Sequence, residues 1–251
     1  MIRSERLELI PATTDQLSAA LESPSALGSA LNARVPPTWP PEFLDPPALE
    51  FTRDRLAATP GEGEWWMYFL VLPDAEAGTL IGTAGYKGPP TEDGTVEVGY
   101  GIVTDHRRRG YASEAVRALV ARAFRLPEVR RVIAETLPEL TPSIGVLRKS
   151  GFALIGEGSE PGVIRFELTR AAYEAAGAVC RRQEHDLREN AMEPQVAPLH
   201  PLLEWPTLAE LALIDFLMQH DSYHIGQVAF LRRQLGKPAM AYTRGVRLDK
   251  G

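Results

Sequence analysis

The sequence predicts an α+β protein with a small α-helical appendage at its C-terminal side. Three observations carry this reading. Residues 95–103 alternate apolar and non-apolar positions, the period of a strand. Residues 112–124 repeat apolar positions at helical spacing. After about residue 170 the chain turns polar, then Pro-rich, then into a capped helical pattern.

Length and composition bound the rest. A chain of 251 residues allows one or two domains and a sizeable core. Its 44% hydrophobic and 24% charged residues are ordinary for a globular protein. The 21 Gly and 21 Pro foretell many turns. A net charge of −6, from 27 Lys+Arg and 33 Asp+Glu, argues against broad nucleic-acid binding, so no nucleic-acid partner is expected. The single Cys180 excludes an intramolecular disulfide and a Cys-rich zinc site. No apolar run reaches the ~18–20 residues of a membrane span, and Met1–Arg6 lacks a signal-like stretch. A cytoplasmic protein with no membrane partner is expected.

Residues 1–10 carry Ile2, Leu7 and Leu9 among charges and are expected as a first strand. Residues 35–48 hold six Pro, which a regular helix or central strand does not tolerate, so an extended loop is expected. Trp66–Leu72 and Thr79–Tyr86 read as strands around a turn near Pro73-Asp74 and Ala77-Gly78. In 95–103, Val96, Val98, Tyr100 and Ile102 alternate with Glu97, Gly99 and Gly101, which sets Glu97 opposite the apolar face. Two Gly in one strand mark a bulge or a close approach to the backbone. Ala112, Ala115, Val116, Leu119, Val120, Ala123 and Phe124 make the apolar face of the next helix; Arg117 and Arg122 lie on its other face, and Pro127 ends it. Arg131–Thr136 reads as a strand, Ser143–Lys149 as a short helix stopped by Gly151, and Phe152–Glu157 with Val163–Leu168 as a closing strand pair. Residues 170–192 fit a polar helix, and 193–206, with four Pro, a linker. Thr207-Leu208-Ala209-Glu210 is a capping box that starts a helix to about Leu235, with Gly236 at C′.

Between the Gly-bearing strand and the amphipathic helix runs Thr104-Asp105-His106-Arg107-Arg108-Arg109-Gly110-Tyr111-Ala112. Residues 105–131 hold eight Arg against three acids, in a chain that is acidic overall. Cationic side chains and free N–H groups at a helix N-terminus form an anion site, and Gly110 lets a ligand approach the backbone. A pyrophosphate is the natural guest. The bland alternative is a solvated basic turn.

The pattern Arg107-x-x-Gly110-x-Ala112 resembles the Arg/Gln-x-x-Gly-x-Gly/Ala loop of the GNAT family of N-acetyltransferases. Val96-Glu97-Val98-Gly99-Tyr100, the run from Arg107 to Ala115, Ser143-x-x-Val146-Leu147-x-Lys149-x-Gly151-Phe152 and Ser4-Glu5-Arg6-Leu7-Glu8-Leu9 are similar to its ribosomal-protein N-acetyltransferase subgroup. The resemblance covers about residues 1–175. It implies a GNAT fold with a central mixed, mostly antiparallel sheet flanked by helices. It also implies acetyl-CoA as cosubstrate and direct attack of an amine on the thioester. By the same resemblance, backbone groups of Ile102 and Val103 would hold the pantetheine arm. Arg107, Arg108, Arg109, Gly110, Tyr111 and Ala112 would hold the pyrophosphate, and Ser143 would lie near the thiol. Glu97 would take the amine's proton, directly or through water; a structural strand Glu is the alternative. Two departures stand out. Leu140 replaces the subgroup's Asn, and Val146 and Leu147 stand where many members carry a Tyr acid, which leaves the general acid unassigned.

His220 and His224 lie four apart on one face of the capped helix. The segment resembles the last helix of the DinB-like metal-binding family. No third ligand is evident, so buried structural histidines are favoured over a metal site, and no metal is assigned. The chain therefore divides into an acetyltransferase domain over 1–175, a helix and Pro-rich linker over 176–206, and a partial DinB-like helix over 207–251. That helix is expected to pack on the acetyltransferase or to pair two copies as a homodimer. The acceptor is expected to be a small-molecule amine or a protein N-terminus. The rival readings are a non-catalytic acetyl-CoA sensor and a metal-dependent activity of the C-terminal part.

Overall fold

Eight strands form one sheet in the order β1-β2-β3-β4-β5-β6-β8-β7, in a computed structural model that describes residues 1–42 and 44–177. The strands are β1 (Ile2–Arg3), β2 (Glu8–Pro11), β3 (Met67–Leu72), β4 (Thr79–Tyr86), β5 (Thr95–Ile102), β6 (Arg131–Thr136), β7 (Ala153–Glu157) and β8 (Ile164–Thr169). Every neighbouring pair is antiparallel except β5 and β6. Parallel neighbours need a crossover; here it is helix α4 (Tyr111–Ala123). The other helices are α1 (Thr14–Glu22), α2 (Pro24–Leu31), α3 (Pro46–Ala58) and α5 (Thr141–Lys149). The expected mixed, mostly antiparallel sheet with flanking helices is thus found.

The even-numbered face of β5 is buried, as its alternation requires. Tyr86 faces Val98 across the β4–β5 ladder and donates its hydroxyl to the Leu119 carbonyl at 2.7 Å, which sets α4 on this face. Tyr68, Phe69, Leu119, Leu147 and Phe166 are among the largest fully buried side chains. Gly85 pairs with Gly99, and a Cβ at Gly85 would stand 2.2 Å from the Trp66 carbonyl oxygen, so these strands close only without a side chain there. Arg122 is not simply solvated on its helix. Its guanidinium lies 4.6 Å from the Trp65 ring centre and pairs with Glu64 at 2.6 Å.

Several expectations are corrected. Residues 1–10 form two short strands joined by a turn, not one, because Ser4 N–H donates to the Leu7 carbonyl and folds the chain back. The Pro-rich loop ends at Asp45. Pro46 and Pro47 open α3, where a missing N–H costs no helical bond, and Asp45 caps it by accepting from Ala48 N–H at 3.0 Å. Helices α1 and α2 were not anticipated, yet their starts are marked. Thr13 and Gln16 form a reciprocal capping box, and Ser23 caps α2 just before Pro24.

Residues 170–177 are helical, the beginning of the expected polar helix. Its remainder, Cys180, the linker, the capped helix, His220, His224 and the homodimer contact lie outside the described residues. Among the described residues, no helix is long and apolar enough to cross a membrane, and no three of His, Cys, Asp and Glu cluster as metal ligands.

Leu119 is fully buried where α4 meets the sheet. Leu119→Ala should destabilise the fold by about 2–5 kcal/mol. Urea unfolding should then show a lower midpoint at an unchanged m-value.

Candidate functional site

β5 and β6 pair over only three positions, Thr95–Glu97 against Arg131–Ile133. Beyond Glu97, β5 continues along β4, while β6 continues along β8 to Thr136. The sheet therefore parts, and α5 covers the opening. Tyr100 reaches across it. Its hydroxyl stands 2.9 Å from Ser143 Oγ and 3.2 Å from the Ser143 carbonyl oxygen. Burial pushes the Tyr100 phenol well above its ordinary pKa, so it stays protonated.

A cleft of about 550 Å³ runs between α5 and the start of α4, lined among others by Ile102, Arg107, Gly110, Ala112, Ser143 and Val146. Its basic wall is built by backbone geometry. Thr104–His106 makes one 3₁₀ turn, then Arg108 at φ +63° and Gly110 at φ +83° turn the chain into α4. Gly110 is the N-cap and brings no side-chain acceptor. Among the described residues, the N–H groups of Tyr111, Ala112 and Ser113 therefore have no helical or capping partner and are available to an anion.

The predicted loop residues differ in what they already hold. Arg107 is half-buried; its Nε donates to the Ile102 carbonyl at 3.0 Å and its Nη2 to Glu42 at 2.8 Å. Arg108 and Arg109 are exposed. Val103 N–H donates to the Ile81 carbonyl at 2.9 Å, and the Val103 carbonyl accepts from His106 N–H at 3.0 Å. Of the Ile102 and Val103 groups, the carbonyls each keep a second lone pair. His106 also lines the cleft. Burial, then the charge of Arg109, holds its pKa below 6.5, so the ring is neutral at pH 7.

The loop rests on a clamp that local sequence patterns do not reveal. Glu114, buried in the first turn of α4, accepts from Ser4 Oγ at 2.8 Å and from Arg6 N–H at 2.7 Å. The Arg6 guanidinium also donates to Glu114, with Nε at 2.8 Å, and Nη1 donates to the Arg109 carbonyl at 3.0 Å. The same guanidinium lies 4.7 Å from the Tyr111 ring centre. Burial alone would raise the Glu114 pKa, but the bonds from Ser4 and Arg6 outweigh it and hold the carboxyl below its ordinary 4.5. The available sequence signal was an acid in a helix's first turn and an Arg six residues into the chain.

On the other side of β5, a cavity of about 70 Å³ opens beside α3. Gly99 and Gly101 give it a floor of bare backbone, and Glu42, Phe51, Trp66 and Lys87 are among its walls. The Trp66 indole N–H has no hydrogen-bond partner among the described residues. A third, smaller cavity of about 30 Å³ lies in the parting itself, beside Lys87, Glu135, Thr136, Leu140 and Ser143. Tyr100 lines all three spaces. Glu97 lines none of them. Its carboxylate is ion-paired with Lys87, and Lys87 itself lines both smaller cavities. Leu140 fills its position by packing with Leu137 and Val163.

A family model described as the acetyltransferase (GNAT) domain matches residues 6–153. The chain is 38% identical over 91 residues to the uncharacterized N-acetyltransferase p20 of Bacillus licheniformis, covering 36% of this chain and 50% of that protein. It is 27% identical over 161 residues to the uncharacterized N-acetyltransferase YjdG of Bacillus subtilis (strain 168), covering 64% of this chain and 94% of that one. The chain thus spans half the length of the first relative and nearly all of the second. Among solved structures, a GNAT-family acetyltransferase from Bacillus anthracis aligns with a TM-score of 0.46 at 21% identity, over 67% of this chain and 97% of the other. Aminoglycoside acetyltransferase AAC(6')-Ib in complex with coenzyme A aligns at 0.45 and 20%, over 67% and 98%.

The Glu114 clamp sets a pH dependence. A carboxyl lowered on folding stabilises fully above its unfolded value, near 4.5, and that stabilisation is lost as pH falls through the lower folded value. Glu114→Gln should cost on the order of 2 kcal/mol at pH 7. In thermal melts from pH 7 to 3, the gap between wild type and variant should close below about 4.5.

Proposed function

The chain belongs to the GNAT acetyltransferase family, whose members transfer an acyl group from acetyl-CoA, and we propose that its acceptor is a primary amine of a small molecule or a protein N-terminus, attacking the thioester directly. The observation that carries this reading is the meeting of three cavities at Tyr100, where the sheet parts: a large cleft on one side, a small cavity on the other and an opening between them. Residues 1–175 form the acetyltransferase unit in this reading.

The donor site fits a nucleotide pyrophosphate. Three uncapped N–H groups, a left-handed Gly110 and the basic run Arg107–Arg109 are the donors and charges such a group needs. Acetyl-CoA, when bound, supplies an activated thioester carbonyl. Residues Val98–Ile102, which have lost β6 as a neighbour, offer backbone groups along the pantetheine arm, with Ile102 and Val103 at the end nearer the pyrophosphate loop. Ser143, held by the Tyr100 hydroxyl, lies beside the thiol. The amine enters from the α3-side cavity.

Glu97 takes the proton. Because its carboxylate lines no cavity and is paired with Lys87, the proton reaches it through a water.

An amine-panel assay following free coenzyme A should show release above hydrolysis with at least one primary amine; hydrolysis alone would remove the amine reading. Glu97→Gln should lower kcat by about 10²-fold with acetyl-CoA affinity held within about twofold. Unchanged turnover across pH would exclude Glu97 as the base. Gly110→Val forces a β-branched residue into φ +83° beside the Arg6 guanidinium, 3.3 Å from the new Cβ. Calorimetry should find acetyl-CoA binding weakened by at least about tenfold; retained affinity would remove the phosphate-loop assignment.

A further inference from the structure

Glu42 belongs to two spaces at once. It lines the large cleft and the α3-side cavity, on opposite sides of Tyr100. Its carboxylate is 2.8 Å from Arg107 Nη2, and the two side chains are 23% and 27% exposed. The segment that carries Glu42 has a second tie to the basic loop, from Thr38 Oγ1 to Asp105 at 3.2 Å. Arg107 does not depend on Glu42 for its orientation, because its Nε is fixed by the Ile102 carbonyl.

We propose that Glu42 serves two ligands in turn: it holds Arg107 until the cofactor's pyrophosphate takes that guanidinium, and its carboxylate then receives the ammonium of the acceptor amine in the α3-side cavity. This rests on the acetyl-CoA reading above and assigns an acceptor-selecting residue within it. The physics fixes the sign. A pyrophosphate entering the cleft meets a carboxylate already on its guanidinium. If Glu42 stays, two anions repel at short range; if it leaves, an ion pair breaks. Either way the carboxylate weakens cofactor binding. Its displacement is useful because the other space it lines is the one an amine would enter. An amine is a cation at neutral pH, and a half-buried carboxylate attracts it more strongly than one in open solvent. Cofactor and acceptor are thereby coupled, with the cofactor binding first.

The test begins with coenzyme A and no acceptor. Calorimetry on Glu42→Gln should give a Kd about three- to tenfold tighter than wild type, since removing a nearby like charge relieves the repulsion. A residue that merely shaped the loop would give an equal or weaker Kd on substitution, and that result overturns the proposal. Arg107→Gln should erase the gain: the Glu42→Gln effect persisting at full size in the double variant would show that it does not run through Arg107, and would also overturn it. Glu42→Ala checks the same sign should the Gln variant melt early. Hydrogen exchange supplies a second readout. Adding coenzyme A to wild type should increase exchange at the amides of Thr38, Trp39 and residue 42, and leave it unchanged in Glu42→Gln; faster exchange in both, or in neither, counts against displacement. With whichever panel amine the wild type acetylates, Glu42→Gln should raise the amine KM far more than it lowers kcat. Coenzyme A failing to bind the wild type would instead sink the acetyl-CoA reading itself, a distinct outcome.

Discussion

When β5 leaves β6 after the Glu97–Ile133 pair, five strand residues lose the neighbour on one edge. Backbone groups in a protein interior require partners, so a strand that parts from its sheet must find them elsewhere or present them to a ligand. The rest of the site follows from this. Tyr100 spans the opening to α5, α5 closes it from outside, and a cleft and two smaller cavities remain around one phenol. The parting is stable because each half of the sheet is anchored independently, β5 on β4 and β6 on β8.

The charge distribution repeats the same division. An acidic chain concentrates its Arg around the start of α4, yet those guanidinium groups are not equivalent. Arg107 is committed to a carbonyl and a carboxylate within the site, while Arg108 and Arg109 face solvent. Beneath them, Arg6 acts as a brace, tying a buried acid in the helix to a carbonyl in the loop. A loop with two left-handed residues needs such support, because positive φ is costly for a non-Gly residue such as Arg108.

The sequence made the central run from Thr79 to Ala123 legible almost to the residue, because two-faced strands and an amphipathic helix write their burial into local periodicity. The anion loop was legible for a related reason: Gly110 and the clustered Arg adjoin in the chain. What stayed hidden was carried by distance. Arg6 and Glu114 are 108 residues apart, Glu42 and Arg107 are 65, and Tyr100 and Ser143 are 43. No period encodes such pairs. Glu97 was singled out for its place on the strand, whereas Lys87, which occupies it, sits just past the end of the neighbouring strand. Helices α1 and α2 are short and bury only Leu17, Leu27 and Leu31, although their caps are in plain view in the sequence.

The bare floor at Gly99 and Gly101 divides the molecule into parts that are free to vary and parts that are not. A floor made of backbone has nothing to exchange; any substitution there only subtracts volume beside the parted strand. On the opposite wall, Phe51 and Thr52 of α3 line this cavity and not the cleft at the start of α4, whereas Glu42, just ahead of the helix, reaches Arg107 and lines both. Ligand preference in that cavity is therefore free to drift by exchanging side chains on α3, with Glu42 left in place, while the opposite cleft stays constant, so a single scaffold is able to diversify its acceptors without rebuilding its chemistry.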